Sequence, residues 1–62
     1  MGELVGTIES KSGRQYTVKW ENLEVWVREK GTFEWFCVAQ EIHKADALRA
    51  AQEVIDDQSP AF

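Results

Sequence analysis

The stretch QYTVKWENLEVWVRE, residues 15–29, contains the clearest structural signal in the chain. Apolar and polar side chains alternate on both sides of its centre, and this period of two is typical of β-strands with one buried face. Asn tolerates a positive φ, so Glu21-Asn22 predicts a two-residue turn between two strands. The resulting register pairs apolar side chains on one face, Val18 with Val25 and Tyr16 with Val27.

Two further strands extend this hairpin. Residues 3–10 predict a strand before it, and Lys11-Ser12-Gly13 predicts a hairpin loop in which Gly13 is left-handed. Residues 32–39 predict a fourth strand that is apolar on both faces, as central or doubly covered strands are.

The connection before the fourth strand contains the Lys30-Gly31 turn. A change of one residue in the length of this connection moves every later side chain to the other face of the sheet. The sequence therefore leaves open whether Trp35 or Phe36 shares a face with Trp26.

The last third of the chain has helical spacing. Residues 44–57 carry an apolar stripe at intervals of three and four, formed by Ala47, Leu48, Ala51, Val54 and Ile55. The opposite side carries Asp46, Arg49, Ala50, Glu53 and Asp57. The predicted fold class is α+β, an antiparallel β-meander of three to four strands with one C-terminal helix packed on one face (β-β-β-β-α). We expect residues 1–58 to form this single domain and residues 59–62 to form a flexible C-terminal tail.

One helix covers one face of such a sheet, and a chain of 62 residues offers no second layer for the other face. We expect that uncovered face to present the candidate interaction residues Trp26, Arg28, Phe36 and Lys19. Exposed aromatic side chains on a sheet face indicate a contact site, and Trp and Arg dominate interface energetics. The sequence thus predicts a non-enzymatic module that binds a protein partner or forms a homodimer, by stacking two such faces or by pairing edge strands.

A second hypothesis is nucleic-acid binding. In its order of elements the predicted fold is similar to a DNA-binding domain of plant transcription factors and to the arm-binding domains of phage integrases. The resemblance implies a sheet-face interface formed by Lys19, Trp26, Arg28 and Arg14. The net charge of −4 disfavours this hypothesis, although residues 11–30 carry five cations against three carboxylates.

A third hypothesis concerns the acidic half of the chain. Residues 31–62 carry two cations against six carboxylates. A small accessory or inhibitor protein could meet a basic partner through the helix side chains Asp46, Glu53 and Asp57, although such a charged face is more often simply solvated.

The sequence offers little for catalysis or for cofactor binding. It contains one histidine, His43, and one cysteine, Cys37, and this pair gives no zinc-ligand spacing. The four glycines are scattered and form no phosphate-binding loop. We therefore expect no enzyme activity, no catalytic, metal-binding or cofactor-binding residues, no cofactor and no small-molecule ligand. One cysteine, no signal peptide and no long apolar run predict a cytoplasmic protein without membrane contact.

Overall fold

The computed structural model describes residues 2–58 and confirms the predicted β-β-β-β-α architecture. Four antiparallel strands form one open sheet in the order β1-β2-β3-β4, and a single helix packs on it. The elements are β1 (Glu3–Glu9), β2 (Gln15–Glu21), β3 (Glu24–Glu29), β4 (Phe36–Gln40), a 3-10 turn (Lys44–Asp46) and α1 (Ala47–Gln58). The predicted flexible tail, residues 59–62, lies outside the described residues.

The turn between β2 and β3 differs from the prediction. Asn22 and Leu23 are its two central residues, with φ of 51° and 64°, and Glu21 pairs with Glu24. Two positive φ values give a turn whose twist matches the right-handed twist of the flanking strands. The predicted register was therefore wrong by two residues, because Val18 pairs with Val27, Trp20 with Val25 and Tyr16 with Glu29. A shift of two residues keeps every side chain on its predicted face.

Leu23 is an unusual residue for a left-handed position, because its Cβ crowds the backbone there. Its side chain is 53% exposed, so its removal costs little buried area. We expect Leu23→Gly to raise the free energy of unfolding by about 0.5–1 kcal/mol, measured by urea denaturation. Leu23→Ala is the control: it removes most of the side chain but keeps the Cβ, so it should not raise the free energy of unfolding. An equal gain in both variants would contradict a backbone origin.

The β1–β2 connection follows the sequence prediction. Gly13 has a φ of 91°, as expected for the left-handed position of this loop. The buried Ser10 closes the loop, because its N–H donates to the Arg14 carbonyl over 2.8 Å and its Oγ accepts the Arg14 N–H over 3.1 Å. The β1–β2 ladder contains a bulge between Leu4 and Gly6.

The fourth strand begins later than predicted, at Phe36 and not at residue 32. Gly31 turns the chain with a φ of 93°, and the hydroxyl of Thr32 donates to the Glu29 carbonyl over 2.8 Å. Residues 32–35 therefore form a connection without regular structure, which leads into the strand.

The core lies between α1 and one face of the sheet. Its buried residues are Val18, Val25, Val27, Ala47, Ala50, Ala51 and Ile55. The prediction that Ala50 faces solvent was wrong, because the buried stripe of α1 is wider than expected and includes this position. Small residues let the helix lie close to the sheet: a Cβ placed on Gly6 would come within 3.2 Å of the Leu48 side chain. The Trp20 indole N–H donates to the Glu41 carbonyl over 2.9 Å, which anchors the chain after β4.

The helices of residues 2–58 are too short and too polar for any of them to cross a membrane.

Candidate interaction surface

The sheet face opposite α1, here called the open face, carries the side chains that alternate with the core valines. In the β2–β3 ladder Lys19 pairs with Trp26, and Thr17 pairs with Arg28. Because Val18, Val25 and Val27 point toward the helix, these four neighbours point away from it. The alternation that predicts the hairpin thus also brings Lys19, Trp26 and Arg28 together on one surface.

Trp35 completes this group from the connection that precedes β4. The Lys19 Nζ lies 4.5 Å from the centroid of the Trp35 ring, and the Arg28 Cζ lies 5.0 Å from it. The Lys19 Nζ also lies 5.7 Å from the ring of Trp26. These four residues, Lys19, Trp26, Arg28 and Trp35, form what we call the tryptophan–cation cluster. Each cation–π contact stabilises the arrangement by about 0.5–1 kcal/mol at an exposed site.

The cluster is ordered by further contacts. Lys19 pairs with Glu21 over 3.3 Å, and only 21% of the Lys19 side chain is exposed. Both tryptophans are half-buried, and cations lie over their rings, so the surface consists of partly covered indoles and not of bare aromatic rings. The rings and the cation stems therefore hold one another in defined positions before any partner arrives.

The indole N–H of Trp26 is buried and has no hydrogen-bond acceptor within residues 2–58. A buried unpaired donor costs about 1–3 kcal/mol. The cluster therefore contains one hydrogen-bond donor, the Trp26 indole N–H, that none of the described residues accepts.

Phe36 does not join the cluster. It pairs with Val27 and so lies on the helix side of the sheet, where its side chain is 56% exposed. The sequence left Phe36 and Trp35 as alternatives for the open face, and the structure places Trp35 there. Arg14, which the nucleic-acid hypothesis includes, is an exposed residue of the β1–β2 connection.

The single cysteine and the single histidine of the sequence both lie on the surface. Cys37 is exposed on β4, with its Sγ 3.8 Å from the Ala39 carbonyl oxygen, and His43 is exposed before the 3-10 turn. Across residues 2–58, no three or more His, Cys, Asp or Glu side chains come together in a way that could hold a metal ion.

Comparison with known proteins finds no protein family, no characterised protein and no solved structure that matches this chain.

Proposed function

We propose that the protein is a non-enzymatic interaction module that binds a partner protein, or a second copy of itself, through the open face. The observation that carries this proposal is the Trp35 ring, which lies within cation–π reach of Lys19 and Arg28 on a sheet face that α1 does not cover. Tryptophan and arginine are the residue types most enriched among side chains that dominate binding energy.

Pre-ordering supports the same proposal. A side chain that is immobilised on binding costs about 0.5–1.5 kcal/mol, and contacts already present in the free protein reduce this cost. Lys19 contacts both indoles and Glu21, so its long side chain is already held before a partner binds. The buried indole N–H of Trp26 adds a donor that a small rearrangement would offer to an acceptor on the partner.

The same contacts favour a protein over nucleic acid as the partner. Phosphate binding draws on cations that are free to replace counterions. On the open face, Lys19 is paired with Glu21, and the guanidinium of Arg28 lies over the Trp35 ring. Binding of duplex DNA whose affinity falls steeply with salt would support the nucleic-acid alternative instead.

The alternative of an acidic helix surface has less support. Asp46 is half-buried and accepts a hydrogen bond from Arg49 over 3.4 Å, which offsets part of its charge. Glu53 and Asp57 are exposed on α1.

The variant that tests the proposal is Trp35→Ala. Trp35 precedes β4, so its removal leaves the strand pairing intact while it deletes the centre of the cluster. We expect a partner captured by the wild-type protein to bind the variant at least about 30-fold more weakly in calorimetric titration, since hot-spot residues contribute about 2 kcal/mol or more.

Phe33→Ala is the matched control, because Phe33 is 92% exposed and lies outside the cluster. It should leave the affinity unchanged. Arg28→Ala should weaken binding in the same direction as Trp35→Ala. A captured partner that binds all three variants as tightly as the wild-type protein would refute the open face as the binding surface.

A further inference from the structure

β4 is an edge strand with one free side. It pairs with β3 through residues 36–40 and has no strand on its other side in the part of the chain that the structure describes. The outer N–H and C=O groups of such a strand form a template that another extended strand can pair with. The backbone therefore defines the shape of a suitable partner, a β-strand.

The two edges of the sheet differ in their protection. Natural proteins discourage edge pairing with charges, and β1 carries Glu3 and Glu9 at its ends. β4 has the sequence FCVAQ, with no charged residue and no proline. Both edge ladders contain a bulge, so bulges do not distinguish the two edges.

The exposed apolar side chains also concentrate around β4. Of the five large hydrophobic residues exposed within residues 2–58, Phe36 lies on this strand, and Phe33 and Ile42 lie within three residues of its ends. Phe36, exposed on the strand itself, adds apolar area that a second strand at this edge would partly cover. Apolar side chains and free backbone groups thus coincide at the same edge.

We infer that β4 pairs antiparallel with β4 of a second copy, so that two four-stranded sheets join into one continuous sheet. Antiparallel pairing of a strand with itself has two-fold symmetry and closes at a dimer. β4 itself carries no charged residue, so its pairing with a second β4 places no two carboxylates opposite each other within the strand. Like charges directly opposite each other would destabilise such a pair.

Pairing of β4 with β1 of another copy would have different consequences. It is a head-to-tail contact, which closes only when the copies complete a ring and otherwise leaves a free edge at each end. It would also bring Glu3 and Glu9 against the apolar edge. The self-paired dimer leaves no β4 edge free and keeps Glu3 and Glu9 away from β4.

This dimer is independent of the open face. The two-fold axis is perpendicular to the joined sheet, so both helices lie on one side and both tryptophan–cation clusters lie on the other. Cys37 lies on the open face beside its pairing partner Trp26, so Trp35→Ala, which alters the cluster without changing β4, is the variant that separates partner binding from dimer formation.

Sedimentation equilibrium of the full chain tests the inference, with Cys37→Lys as the blocking variant and Thr7→Lys as its control. Both positions are exposed on edge strands, but Cys37 lies on β4 and Thr7 on β1. We expect a monomer–dimer equilibrium in which Cys37→Lys raises the dissociation constant by about tenfold or more, while Thr7→Lys and Trp35→Ala leave it unchanged.

Amide hydrogen exchange of the wild-type protein gives a second readout that needs no substitution. Dilution should speed exchange of the β4 amides that do not bond to β3, and should leave the β1 amides unaffected. A chain that remains monomeric up to millimolar concentration overturns the inference. A dimer whose dissociation constant is unchanged by Cys37→Lys also overturns the inference. A dimer that Trp35→Ala dissociates overturns it as well, because such a dimer would be formed by the open face.

Discussion

Replacement of Val18 by alanine is expected to lower the free energy of unfolding by about 2–3 kcal/mol. Val18 is 0% exposed, and it lies on β2 between Gly6 of β1 and Val27 of β3. Two buried carbon atoms contribute about 0.8 kcal/mol each, and the cavity that they leave adds a further cost. A domain of this size has little stability to spare, so this single change removes a large share of it.

Urea denaturation followed by circular dichroism measures the effect of Val18→Ala. Thr7→Ala is the control, because Thr7 is an exposed β-branched residue on the open face of β1. It should cost less than about 1 kcal/mol, the span of strand propensity. Equal losses in the two variants would mean that the sheet valines do not form the core described above.

Replacement of Ala51 by leucine is expected to destabilise the fold by about 2–3 kcal/mol, for the opposite reason. Ala51 is 0% exposed and faces the sheet in the middle of α1. A longer side chain there forces the helix away from the sheet or into strained rotamers, and such overpacking costs about 1–3 kcal/mol. Leucine is a good helix former, so the loss would not come from helix propensity.

Ala45→Leu provides the comparison for Ala51→Leu, because Ala45 is exposed in the 3-10 turn. Its effect on the thermal unfolding midpoint should be close to zero, as for most surface substitutions. If Ala51→Leu stabilised the protein, the close approach of helix and sheet would not be set by small residues. Gly6, whose Cα faces Leu48, would then be the next position to test.

The alternation of side chains allowed the open face to be predicted in part. Lys19, Trp26 and Arg28 share a face in any register that differs by an even number of residues, so the error at the β2–β3 turn did not separate them. Their role in binding stays a prediction.

Trp35 and Leu23 show where sequence reasoning reached its limit. The face of Trp35 depends on the number of residues between β3 and β4, and the irregular backbone of residues 32–35 has no periodic signal. Leu23 has a φ of 64° although leucine disfavours it, because the twist of the two strands requires that conformation. Tertiary structure thus overrides a local preference at Leu23, whereas at Trp35 the sequence contains no local pattern to read.

The chain order of the fold has a consequence for the course of folding. Each strand pairs with the next one along the chain, so the meander is held by local contacts that can form early. The helix that covers Val18, Val25 and Val27 follows the four strands, and its Gln52 side chain donates to the Glu9 carbonyl across 43 positions of the chain. A sheet that forms before α1 docks presents an uncovered apolar face on one side and the uncharged edge of β4 beside it. The protein is therefore most vulnerable to aggregation in the interval before α1 packs on the sheet.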